Sequence, residues 1–150
     1  MQQDIINAVL RYFENVDKGN WEGTASLMTN PFHLDYSSFG AGPAADLDPK
    51  DIISGWKTML PGFDFTHHHL GPLAVETSDD EAVVKAYVTA DHHIAGAEGG
   101  DRWTVYGDYI LRLQKVGGDW KLASNKFQFK YVSGNGDLPA LAQERAATTQ

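Results

Sequence analysis

Residues 65–94 read FTHHHLGPLAVETSDDEAVVKAYVTADHHI, and their period decides the fold class. Before Phe63 the apolar residues recur at helical spacing; after it they alternate. Between residues 82 and 94, Val84, Ala86, Val88, Ala90 and His92 share one face of a strand, and Lys85, Tyr87, Thr89, Asp91 and His93 share the other. The first face is small and apolar and belongs inside. The second carries Lys85 and Asp91 and belongs in water. His92 is therefore expected inward and His93 outward. The same alternation splits the triple histidine, with His67 and His69 opposite to His68. Three consecutive strand residues cannot converge on one ion, because zinc needs its ligands within about 2.0–2.3 Å of one point. If the turn at Ser78-Asp79 closes a hairpin, His68 falls opposite Thr89 or Ala90. His92 then lies about three residues further along, on the order of 10 Å at ~3.3 Å per residue. That spacing suits two groups serving different atoms of one substrate, not two ligands of one metal.

Working outward, four strand runs are expected over 65–76, 82–94, 102–116 and 120–132, joined by short Gly- and Asp-rich turns that imply antiparallel pairing. Upstream, Ile5, Val9, Tyr12, Phe13 and Val16 form one face of a helix over about 4–17, stopped at Lys18-Gly19. Asn20 caps a second short helix over 21–28. PFHLDYSSF (31–39) reads as a strand and GAGPAADL (40–47) as a loop. Asp48 followed by Pro49 starts a third helix, expected to run to about Leu60 and to stop at Pro61-Gly62. The tail, 137–150, is small and polar with a Leu138/Leu141 anchor, and is expected to be mobile or to fold over something. The fold class is α+β: three N-terminal helices packed on a strongly curved, mainly antiparallel sheet, a cone whose inside is a pocket, as a single domain over 1–150.

The composition narrows the function. The 150 residues suit one domain with one core. The formal net charge is -8 and no Lys/Arg cluster exists, which argues against nucleic-acid and anionic-membrane partners. No apolar run approaches ~20 residues, and the N-terminus lacks the basic start and apolar core of a secretory signal. With no cysteine there are no disulfides, thiolate ligands or cysteine nucleophiles, which fits a cytoplasmic protein. His33 reads only as a polar residue of the first strand. A lone interior histidine is usually a satisfied core residue; two on adjacent strands of a pocket-forming sheet make a stronger case for chemistry.

Four stretches, VDKGNW, LDYSSF, THHHLG and DEAVVKAYVTADHH, resemble scytalone dehydratase and its relatives in the SnoaL-like branch of the NTF2-like superfamily. The resemblance runs from about Tyr12 to Val132. It implies that the acid closing the first helix, Asp17, pairs with a histidine of the middle strand, His92. It implies a second histidine at His68, a pocket tyrosine at Tyr36 and a phenylalanine at Phe39. Two positions depart from the family. A tyrosine before the helix-end acid is Val16 here, and the count back from Trp120-Lys121 to a pocket asparagine reaches Ile110, with Asp108 the closest polar candidate. Trp56, Met59 and Phe63 would complete the apolar wall, although such residues are more often plain core. An acid at a helix C-terminus opposes the helix dipole, so Asp17 invites a partner.

By this resemblance the chemistry is dehydration of a small, hydrophobic cyclic ketone or polyketide-like molecule. His68 would act as base and His92 as acid or leaving-group binder. Asp17 would hold the His92 ring, and Tyr36 would donate to the carbonyl oxygen. No metal and no organic cofactor is required. The alternatives are a ketone isomerase, cyclase or dehydrohalogenase on the same scaffold, or a non-catalytic binding or structural subunit. An isomerase would use an inward carboxylate, with Asp108 the residue to check. Relatives form dimers or trimers, and Trp103, Tyr109 or Tyr131 on an outer sheet face would serve such contacts.

Overall fold

Helix α1 (Gln2–Lys18) buries Ile5, Ala8, Val9, Tyr12, Phe13 and Val16 along one stripe, as its spacing dictates. A computed structural model describes residues 2–149 of the chain. After α1 come α2 (Trp21–Ser26), β1 (Met28–Asp35), a 3-10 turn (Ser37–Phe39), β2 (Ala45–Leu47), α3 (Pro49–Trp56) and a second 3-10 turn (Leu60–Gly62). The meander follows: β3 (Phe65–Leu70), β4 (Ala74–Ser78), β5 (Glu81–His93), β6 (Arg102–Val116) and β7 (Asp119–Gly134), then α4 (Leu138–Thr149). Both expected caps form: Asn20 accepts from the Gly23 amide at 3.0 Å and Asp48 from the Lys50 amide at 2.9 Å.

The sheet order is β2-β1-β7-β6-β5-β3, with β4 also paired to β5. Pairing is antiparallel except between β1 and β7, which run parallel. The α1 stripe packs with Val84, Val88, Leu111, Leu113, Leu122 and Phe127 in one core. Fully burying a side chain of this kind is worth about 1.5–3 kcal/mol. Register shifts in the β6–β7 ladder, at Tyr106/Gly107 and at Arg112/Leu113, bend the sheet into its cone. Gly107 is needed at the first of these. A Cβ there would lie 2.3 Å from the Gln128 carbonyl oxygen and 2.5 Å from the Phe127 ring.

Several expectations need correction. The strand expected over 65–76 is two strands, because Pro72 has no N–H to give the ladder. Helix α3 ends at Trp56 rather than near Leu60; the chain passes through a turn over 57–59 into the 3-10 turn at Leu60–Gly62, where Pro61 has no N–H to give a further helical bond. Trp103 and Tyr109 are buried inside the cone, and of the three aromatics placed on the outer face only Tyr131 is exposed. The register that pairs His92 with Trp103 and Ala86 with Tyr109 turns both inward. The tail is a helix, and of its two expected outcomes it takes the second. Leu138, Ala142 and Ala146, four residues apart, are fully buried, and Arg145 Nη2 meets Asp64 Oδ1 at 2.8 Å. No helix among the described residues is long and apolar enough to cross a membrane.

The seat of α4 is Gly62, where a Cβ would stand 1.8 Å from the Ala142 carbonyl oxygen. Gly62→Ala is expected to lift α4 and cost about 1–3 kcal/mol, the usual range for overpacking. Hydrogen exchange of the 138–149 amides reads this directly. Gly55→Ala, which meets nothing within 4 Å, should leave that exchange unchanged. Equal exchange in both variants would show that Gly62 does not seat the helix.

Candidate active site

Asp17, one residue before the end of α1, reaches the edge strand β3 and accepts three donors there. The His68 ring gives Nδ1–H to Oδ1 at 2.6 Å, the His68 amide gives N–H to Oδ2 at 2.9 Å, and Thr66 gives its hydroxyl to Oδ1 at 3.1 Å. Burial works to raise the carboxyl pKa, but the His68 ring, then its amide and Thr66, outweigh it and hold the group below the usual carboxylate range. Asp17 is therefore ionised, and since a carboxylate only accepts, the His68 proton sits on Nδ1. Nε2 has no hydrogen bond among the described residues and is the ring nitrogen left to the cavity that His68 lines.

This corrects the expected pairing. Asp17 bonds to His68, not to His92, because α1 crosses the edge strand while His92 lies one strand further in. The His92 Nδ1–H is already given to the Trp103 carbonyl at 3.0 Å, so its Nε2 is an acceptor. His92 is buried. Desolvation, only partly offset by the Trp103 carbonyl, lowers its pKa to about 4, so the ring is neutral at pH 7. His68 pairs with Ala90 as expected. The two imidazole centroids are 6.5 Å apart, closer than the ~10 Å expected. Both rings lean into one cavity, and His92 stands two residues from the His68 partner rather than three.

That cavity holds about 300 Å³. Its walls are mostly apolar, among them Phe13, Phe39, Trp56, Met59, Trp103 and Phe127. No lysine or arginine lines it among the described residues. Phe39, Trp56 and Met59 thus stand where the sequence placed them. Phe63 does not line the space; it packs behind His92, with ring centroids 4.9 Å apart. Tyr36 is present and holds the polar end. Its hydroxyl donates to the Tyr109 hydroxyl at 3.3 Å and accepts from Asn125 Nδ2 at 3.3 Å. Burial raises the Tyr36, Tyr109 and Tyr12 phenols above their ordinary value, so all three remain neutral at pH 7.

Asp108 and Ile110 are not in the cavity. Both face the outer side of β6, where Asp108 meets Lys130 Nζ at 3.1 Å and Ile110 borders an outer groove with Lys85. The residue between them, Tyr109, points inward. A one-residue change of phase exchanges the two faces. Asn125 was missed for a related reason. Trp120 and Leu122 are buried at even positions, Asn125 and Phe127 at odd ones. The shift in pairing beside Ala123 changes the phase, and nothing in the local sequence announces it. His33 is an exposed partner of Asp46 at 2.8 Å, and His67 and His69 are exposed.

The chain belongs to the SnoaL-like domain family, whose model matches residues 2–126; its fold is NTF2-like. Among solved structures it is similar to the Kfla4162 protein of Kribbella flavida, at 23% identity over 97% of this chain and 96% of that one, TM-score 0.83. It is also similar to a Novosphingobium aromaticivorans protein provisionally named a scytalone dehydratase, at 22% identity over 89% and 86%, TM-score 0.75. A hexachlorocyclohexane dehydrochlorinase, LinA type 2, matches at 16% identity over 89% and 87%, TM-score 0.72. No curated protein matches the chain in sequence.

Because His92 titrates near 4 in the fold and near ~6.5 in an unfolded chain, the unfolded state binds the extra proton between those values. Stability should therefore fall as pH drops from about 6.5 to about 4, by on the order of 3 kcal/mol from this residue. Asp17, lowered in the fold, acts in a separate window, losing its contribution only below ~4. Thermal melts from pH 7 to 4.5 should show the first loss, and His92→Gln should flatten it. An equal pH slope in the variant would assign the loss to other groups.

Proposed function

We propose that this protein is a lyase working by proton transfer, of the dehydratase kind, on a small uncharged cyclic ketone or polyketide-like molecule. The observation that carries this reading is the sheltered Asp17–His68 pair, 2.6 Å apart, at the wall of an apolar cavity. A cavity of about 300 Å³ is at the small end of ligand sites, suited to one or two rings. A wall without cations favours a substrate without a carboxylate or phosphate.

In this reading His68 Nε2 takes the proton beside the carbonyl, and Asp17 stabilises the imidazolium formed. Tyr36, a neutral phenol, turns its one O–H from the Tyr109 hydroxyl, a long bond of 3.3 Å, to the enolate oxygen and donates to it. The electron pair then expels the β-hydroxyl, which leaves as water with the proton returned from His68 Nε2. The neutral His92 ring accepts a hydrogen bond from the substrate hydroxyl and orients it. Its low pKa supports leaving-group binding over the acid role, the two alternatives that the resemblance implied. The same base could expel another leaving group, such as the chloride implied by the name of the LinA relative. The isomerase alternative loses its candidate base, since Asp108 faces outward.

The expected result is that Asp17→Asn and His68→Gln each lower kcat by ~10²–10⁴-fold on a panel of uncharged cyclic β-hydroxy ketones, followed chromatographically, while ligand binding persists. A native protein that turns over none of the panel, together with variants that bind it equally well, would leave a binding module instead.

A further inference from the structure

Six histidines are present, and four are engaged by the fold. His33 meets Asp46, His68 meets Asp17, His92 meets the Trp103 carbonyl, and His93 meets Asp101. The remaining two, His67 and His69, have no hydrogen bond or ion pair among the described residues. Among the described residues they interact only with each other. The rings lie face to face, 6.3 Å between centroids and 25° between planes. They are positions i and i+2 of β3, so their side chains leave the strand on the same side, opposite to His68. Both are exposed, and β3 is the edge of the sheet. Neither ring is confined, so each is free to turn toward a shared point.

We propose that His67 and His69 form a two-imidazole chelate for one divalent transition-metal ion on the outer face of the cone. The donor chemistry selects ions that favour imidazole, namely zinc, nickel and copper, over magnesium or calcium. Two ligands two residues apart on one strand gain from the chelate effect, since the strand has already fixed their spacing. No group of three or more His, Asp or Glu side chains among the described residues is poised to hold a metal. Asp91 stands opposite His67 in the β3–β5 register but accepts from the Thr104 hydroxyl at 2.5 Å. The protein therefore supplies two ligands, and the other positions fall to water. The chelate faces away from the cavity, so it is independent of the proposed lyase chemistry.

Calorimetric titration of the full chain with Zn²⁺ or Ni²⁺, in a non-coordinating buffer near pH 7.5, tests this. One ion per chain is expected. His67→Asn and His69→Asn should each weaken binding at least ~10-fold, while His33→Asn, on a different exposed histidine, should leave it unchanged. Magnesium should give no heat. The His67 and His69 ring signals in NMR should broaden selectively with Cu²⁺. A double variant His67→Asn/His69→Asn that binds like the native chain would overturn the proposal. So would an absence of binding in the native chain, or broadening confined to His68 and His92.

Discussion

One carboxylate joins the helical layer to the sheet at the point where chemistry is possible. Asp17 sits at the unfavourable end of the α1 dipole, and three donors from β3 compensate it. Two come from His68, one from its ring and one from its backbone, so the same contact that docks α1 on the edge strand also sets the imidazole tautomer. Removing the charge would loosen both at once. Thr66 shares Oδ1 with the His68 ring and stands opposite His92 in the register. By donating to that oxygen it tempers the basicity of the carboxylate that serves the His68 ring.

The two histidines show how environment separates identical side chains. They stand on adjacent strands, 6.5 Å apart, and face one cavity. His68 has an anion behind it and His92 a neutral carbonyl. The first has its proton fixed on Nδ1 by that anion and leaves Nε2 to the cavity. The second, desolvated with only a dipole for support, stays neutral. In the proposed reaction a base and an acceptor thus arise from one residue type through what lies on the Nδ1 side of each ring.

The polar end of the cavity depends on the bends in the sheet. Phe127 and Asn125 enter because β7 changes phase near Ala123 and again beyond Phe129. The space beside Phe127 exists because residue 107 has no side chain. The packing of α4 depends on its alanine stripe, which lets the helix lie against Gly62 at backbone distance. Bends and close approaches of this kind come from a few small residues, and they decide which side chains reach the cavity.

The sequence by itself determined the fold class, the succession of three helices and then a long antiparallel meander, the caps at Asn20 and Asp48, and the inward turn of His68 and His92. Those follow from local periodicity, from side chains that bond their own backbone, and from strict alternation within one unbroken strand. It also named Asp17, Tyr36, Phe39, Trp56 and Met59, all of which gather in or beside one cavity. Only the tertiary structure decided that Asp17 serves His68 rather than His92, that Tyr109 and Asn125 face inward while Asp108 and Ile110 face out, and that the tail is a packed helix. The first depends on which strand a helix end crosses. The second depends, for Asn125, on a bulge at Ala123 that reverses the faces of β7 and, for Tyr109, Asp108 and Ile110, on the register that β6 takes against β5. The third depends on a glycine more than seventy residues away from the alanine it admits. Each is a long-range contact, and no local pattern encodes one.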